Sequence, residues 1–235
     1  MKKFFLVYIS VFSFSFAQSQ TYFDYPFGGG GGFMPGVHFV NLSELNKKLS
    51  LIGLPEFSNK TIFTTGGGGY IYIGFIPQLR VGGLGYGGSK SISHYSNDIN
   101  YQVDYNLSVG GFSLEYTLPF VKNIAISVGA IIGGGEIIVE YYENLKNFSW
   151  SEVFTSNQKN NYTKLTNDFY LISPTINIDI PIYRFISIHF GIGYQLTFSI
   201  QWHANNKQNL LNAPKNLDGN SFFIQSGIYI GFFAF

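Results

Sequence analysis

Residues 185–202 read FISIHFGIGYQLTFSIQW. The even positions, Ile186, Ile188, Phe190, Ile192, Tyr194, Leu196, Phe198, Ile200 and Trp202, are all apolar or aromatic. The odd positions between them are Ser, His, Gly, Gln or Thr. A period of two belongs to a β-strand whose two faces meet different surroundings. The run is longer than the usual strand of about 5–6 residues. It is also longer than the roughly 9–11 residues that carry a strand across a bilayer, so the excess extends beyond it. This stretch predicts a long amphipathic strand in an all-β fold.

Side-chain type decides which face is outside. A soluble barrel carries Lys, Glu and Arg outward, but the polar face here has Ser, Thr, Gln, His and Gly. Such small groups suit the narrow interior of a small barrel, and a wall of Ile and Phe suits lipid. Composition agrees: charged residues are 11%, against about 25% in ordinary soluble domains, and aromatics reach 19%. A net charge of +1 argues against a nucleic-acid partner. The expected fold is therefore an antiparallel up-and-down transmembrane β-barrel, with an exported soluble barrel as the alternative.

The N-terminus, MKKFFLVYISVFSFSFAQSQ, has two lysines, an uncharged apolar run and small residues at Ser15 and Ala17. This predicts a secretory signal peptide over 1–17, leaving 18–235 as one barrel domain. There is no cysteine, so stability does not come from disulfides.

Three connections share an aliphatic–Pro–x–x–basic pattern: Pro77 with Arg80, Pro119 with Lys122, and Pro181 with Arg184. Proline cannot donate to a ladder and marks strand ends. These read as three periplasmic hairpin turns, their basic residues solvated or touching headgroups. Polar segments 94–100, 143–166 and 203–219 read as the opposing outer loops. The strands then fall at 22–33, 66–76, 79–93, 101–119, 122–142, 167–182, 185–202 and 219–235. Eight strands put both termini on one side; ten is the competing count. Alternation slips near Gly82, which reads as a bulge. Tyr70, Tyr72, Tyr101, Tyr170 and Trp202 fall at the outer rim, and Phe75, Phe120, Tyr183 and Phe185 at the inner one, as in aromatic belts.

The chain ends SGIYIGFFAF, where Gln225, Gly227, Ile230 and Phe232 match a polar–x–Gly–x–x–hydrophobic–x–hydrophobic spacing. The match stops three residues before Phe235. This ending resembles the terminal signal of bacterial outer-membrane β-barrel proteins, and the architecture is similar to the small OmpA/OmpX-type barrels. The resemblance implies residence in the outer membrane, contact with its lipid and lipopolysaccharide, recognition of the last strand by the insertion machinery, and a monomeric state.

Candidate chemistry lies in the lumen. Parity points Asp104 and Asn106 inward, with Glu115 following a slip at 110–111. Asn177, Asp179, His189 and Gln195 point the same way, and Arg80, Glu136 and Glu140 are candidates to join them. Acids and bases inside a narrow barrel must pair or be hydrated. They can form a network that closes the lumen, or line a thin aqueous path. An enzymatic reading rests on His203 near the outer rim or on His189, as in barrels that modify lipid A, but no serine stands close after His203. The four histidines have no metal-ligand spacing, and no cofactor is indicated.

Segment 41–53, NLSELNKKLSLIG, breaks the β pattern. Asn41 can cap a helix with Glu44 completing a capping box. Leu42, Leu45, Leu49 and Ile52 share a helical face, and Gly53 ends it. A first outer loop over about 34–65 thus carries a short amphipathic helix. The glycine runs 28–32, 66–69 and 82–88 lie side by side in the outer half of strands one to three, leaving bare backbone at Gly30, Gly67 and Gly83. The helix is expected to pack on that patch; sharp sheet curvature is the alternative. The function expected is structural or surface-binding through the outer loops, without catalysis. A narrow channel comes second and a lipid A-modifying enzyme third.

Overall fold

The computed structural model describes residues 26–58, 60–121, 123–145, 161–205, 207–214 and 216–234. The expected signal peptide, Lys122 and Phe235 lie outside these residues. The elements are β1 (Phe27–Phe33), β2 (Gly36–Val40), α1 (Ser43–Leu51), β3 (Thr61–Tyr72), β4 (Leu79–Ser96) and β5 (Ile99–Thr117). They continue with β6 (Ala125–Leu145), β7 (Asn161–Tyr183), β8 (Ile186–Ala204), β9 (Gln208–Asn209) and β10 (Ser221–Ala234). All pairings are antiparallel, and β10 closes on β1 and β2, so the sheet is a barrel.

Eight strand positions form the ring. β1 and β2 share one position, because each pairs with β10 on one side and β3 on the other. Pro35 interrupts them by removing a donor, but its carbonyl accepts from Ser226 N at 2.9 Å and the register runs through. The first strand therefore continues to Val40, and the loop holding α1 is 41–60 rather than 34–65. That extension overturns the expected place of the first glycine run, which lies in the half nearer the short turns.

The end opposite the α1 loop carries the connections 73–78, 118–124 and 184–185. At the loop end, one expected long loop is a two-residue turn: Asn97 and Asp98 have φ of 50° and 62°. Asn and Asp tolerate this left-handed backbone, which matches the twist of a tight hairpin. No bulge occurs near Gly82, nor a slip at 110–111, since β4 and β5 stay in register throughout. The one interruption of β8 against β7 in this half comes where Phe169 faces Ser199 and Asp168 faces Gln201. The extra residue flips parity, so Trp202 points inward, only 6% exposed, instead of joining an outer belt.

On β5 and β6 the polarity of the wall inverts along the strand. In the turn half, β5 directs Phe112 and Leu114 outward and Ser113, Glu115 and Thr117 inward. β7 likewise directs Ile172 and Ile176 outward and Thr175, Asn177 and Asp179 inward. In the loop half the inward positions are Val103, Tyr105, Leu107 and Val109 on β5 and Ile137 and Val139 on β6. The outward positions there are Asp104, Asn106, Glu136 and Glu140. The turn half is thus built for lipid, and the loop half of β5 and β6 has the pattern of a water-exposed sheet, while β2, β3 and β10 keep Phe39, Phe63 and Phe222 outward. Asp104 and Asn106 face outward for that reason.

The apolar loop half needs a cover, and α1 with its flanks supplies it. Leu42, Leu49, Leu54 and Phe57 are buried in the same cluster as Val103, Tyr105, Ile137 and Trp202. Leu217 of the last long connection joins them. Asn46 clamps the returning chain, its amide donating to Phe57 O at 3.2 Å and its Oδ1 accepting from Phe57 N at 3.0 Å. The expected capping box does not form. Asn41 accepts from Ser43 N just ahead of the helix, Leu42 occupies the N-cap, and Glu44 pairs with Lys47 at 2.7 Å. Gly53, with φ 74°, ends the helix, and Ile52 is left exposed at the C-cap.

Candidate functional site

The turn half of the lumen holds one cross-barrel network around Arg80. The Pro-x-x-basic pattern places Arg80 in a periplasmic turn with Pro77, and the structure corrects this. Arg80 is the second residue of β4, and strand parity turns it into the lumen, where it is fully buried. Its Nε donates to Glu115 Oε2 at 2.8 Å and its Nη2 to the same oxygen at 2.5 Å, while Nη1 donates to Asp179 Oδ2. Asn177 Nδ2 donates to Glu115 Oε2 at 2.9 Å. His189 Nδ1 lies 2.7 Å from Asp179 Oδ1, and its Nε2 lies 3.4 Å from the Gln225 amide. A buried guanidinium needs such partners, because leaving either charge unpaired costs several kcal/mol.

Aromatic rings enclose the ions. The Arg80 guanidinium sits 4.0 Å from the Tyr70 ring centroid, a geometry that favours a desolvated cation. His189 stacks on Tyr229 with centroids 4.8 Å apart and planes 5° from parallel. Tyr70, Tyr72, Tyr229 and Phe233 form a buried cluster of their own. Tyr72 Oη lies 2.8 Å from Thr117 Oγ1, which lies 2.9 Å from Ser127 Oγ, bringing β6 into the assembly.

Glycine makes the room. The inward Gly30 faces Phe233: a Cβ there would lie 2.7 Å from Phe233 Cζ and 2.6 Å from Ile230 O. At Gly82 a Cβ would meet Gly69 O at 2.4 Å and Ser113 Oγ at 2.6 Å. By contrast, Gly83 points outward with space, its nearest neighbour being Gly111 O at 3.7 Å, whereas a Cβ on the outward Gly67 would sit tightly, 3.2 Å from Gly32 O. No residue of α1 is among the nearest neighbours of Gly30, Gly67 or Gly83. The helix covers the mouth, at the other end of the lumen from Gly30, so the expected helix–glycine contact is replaced by a contact with the apolar upper core.

Of the residues expected in a lumen network, Glu115, Asn177, Asp179 and His189 are brought together. Gln195 lies higher, accepting from Tyr86 Oη at 2.7 Å and donating to Gly219 O at 2.9 Å. Asp104 is outside the barrel, held by Gln102 Nε2 at 2.9 Å. Pro77 and Pro119 lie in turns, Pro181 lies within β7 beside a register shift, and Arg184 lies in the last short turn over the Phe232 ring at 4.7 Å. Sequence reasoning missed Tyr70, which read as part of the outer aromatic rim, and did not single out Tyr229. Among the described residues no cluster of His, Asp or Glu is arranged to hold a metal ion.

No protein-family model matches the chain, and no curated protein matches it. Among solved structures the chain is similar to Ail, the attachment invasion locus protein of Yersinia pestis. That match has 7% identity and a TM-score of 0.41, over 89% of this chain and 98% of the other. It is also similar to a major outer membrane protein from Thermus thermophilus, with 7% identity and a TM-score of 0.47, over 87% and 99%. A third is CarO of Acinetobacter baumannii, with 11% identity and a TM-score of 0.39, over 87% and 97%. The wall inverted for lipid, the closed ring and the long strands define the fold here. The chain is a small transmembrane β-barrel.

Proposed function

We propose that this protein is a monomeric outer-membrane barrel with a closed lumen, which acts as a structural or surface-binding element through its loop end. The observation that carries this reading is the Arg80 network. It draws side chains from β4, β5, β7, β8 and β10 across the full lumen, and the apolar core under α1 seals the bore again above it. Eight strands leave an interior just wide enough for side chains to fill. A solute path would have to break a buried ion network and displace the helix.

The wall supports the same reading. Its turn half offers Phe112, Ile132, Ile176 and Ile192 to lipid, while its loop half offers Asp104, Asn106, Glu136, Glu140 and Lys164 to water and to lipopolysaccharide sugars. Export through a cleaved signal peptide over 1–17, and reading of the β10 ending by the insertion machinery, belong to this proposal. No catalytic role is assigned to His189, which is engaged with Asp179 and Tyr229, or to His203.

Fractionation of outer membranes and a heat-modifiable gel band test the location and fold. Liposome swelling tests the closed lumen: purified protein should swell liposomes no faster than empty controls. A swelling rate graded by sugar size would replace the proposal with a narrow channel.

A further inference from the structure

Beside the Arg80 network lies a cavity of about 20 Å³, bordered by Tyr70, Ser113, Glu115, Asn177, Gln225 and Tyr229. Tyr70 Oη and Asn177 Oδ1, buried atoms of two residues that line it, have no hydrogen-bond partner among the described residues. A buried polar atom without a partner costs roughly 1–3 kcal/mol. The cost is avoided where a cavity offers at least about 10–15 Å³ and two to four polar contacts, which is what one water molecule requires. This cavity has the volume, and two of the residues that line it carry the unpartnered atoms.

We infer that the cavity is a binding site for a single water molecule, bridging Tyr70 and Asn177. Tyr70 donates its hydroxyl proton to the water. The water donates to Asn177 Oδ1, whose own Nδ2 is committed to Glu115 Oε2 at 2.9 Å. The bridge thus ties the aromatic layer of Tyr70 and Tyr229 to the ion layer of Glu115 and Arg80. The stacked pair of His189 and Tyr229 lines the site together with Leu84 and Ile131.

The test uses the full-length protein in detergent or lipid. A crystal structure resolving ordered water should show one peak within hydrogen-bond reach of both Tyr70 Oη and Asn177 Oδ1. Absence of that peak, or a peak ringed by five or more oxygens at cation distances, overturns the inference. The sign of a single variant gives an independent reading. Tyr70→Phe keeps the ring under Arg80 and removes only the hydroxyl. If the hydroxyl holds a water, the variant loses a bridge and its urea midpoint falls. If the hydroxyl is unbridged, the variant sheds an unsatisfied group and the midpoint stays or rises, which contradicts the site.

Discussion

Arg80 and Asp179 stand 99 residues apart in the chain and meet inside the lumen, Nη1 donating to Oδ2, with both side chains at no more than 1% exposure. That contact joins β4 to β7 across the barrel rather than along its wall. With Glu115 on the other side of the guanidinium, it fixes the two halves of the ring to each other. Removing one partner leaves a buried charge alone. Arg80→Leu should therefore destabilise the barrel by about 3–5 kcal/mol in urea unfolding from lipid. Arg80→Lys keeps the charge but not the planar fork, so it should fall between the two. A wild-type midpoint for Arg80→Leu would remove the network from the account.

Glycines with and without room for a Cβ should respond in opposite ways. Gly30→Ala and Gly133→Ala place a Cβ 2.6 Å from Ile230 O and 2.1 Å from Gly110 O. Such overpacking costs roughly 1–3 kcal/mol. At Gly85 the nearest atom would be Val109 O at 3.6 Å. Gly85→Ala should be neutral or stabilising by about 0.4–1 kcal/mol, because it restricts the unfolded chain. Refolding yields and unfolding midpoints of the three variants check the contrast.

Helix α1 should behave as a cover. Leu49 is 3% exposed and buried in the upper core. Leu49→Ala removes a buried side chain at a cost of about 2–5 kcal/mol, concentrated in segment 41–60 because the barrel wall below is hydrogen-bonded independently. Limited proteolysis should cut 41–60 in the variant while the barrel core survives. Equal resistance in the two proteins would contradict the packing.

Trp202 reports the parity flip. In a Trp150→Phe background it is the sole tryptophan. Its inward position predicts blue-shifted emission, with little quenching by either aqueous iodide or bromine on lipid acyl chains. Strong quenching by either would return Trp202 to the outer surface.

Much of the barrel was legible in the sequence, because a period of two survives every detail of packing. The positions of β4 to β8 follow from it, and so do the inward Glu115, Asn177, Asp179 and His189. What misled was the assumption of one polarity along each strand. On β5, Asp104 and Glu115 are both acids, yet one faces water and the other the lumen, because the wall inverts between them. Read with a single polarity, that inversion looks like a slip at 110–111. The flip at Trp202 comes from one extra residue on β8, which leaves no compositional trace. The run at 28–32 falls in the wrong half when the first strand is ended at residue 33, whereas the register passes straight through Pro35 to Val40.

Single-channel recording in planar bilayers tests whether the lumen is closed. On the proposed reading the Arg80 network and the apolar core under α1 both block the bore, so wild-type protein inserted at high density should give no resolved conductance steps at either polarity. Reproducible steps from wild-type protein, at a constant unit conductance that scales with salt, would show a continuous aqueous path and contradict the account.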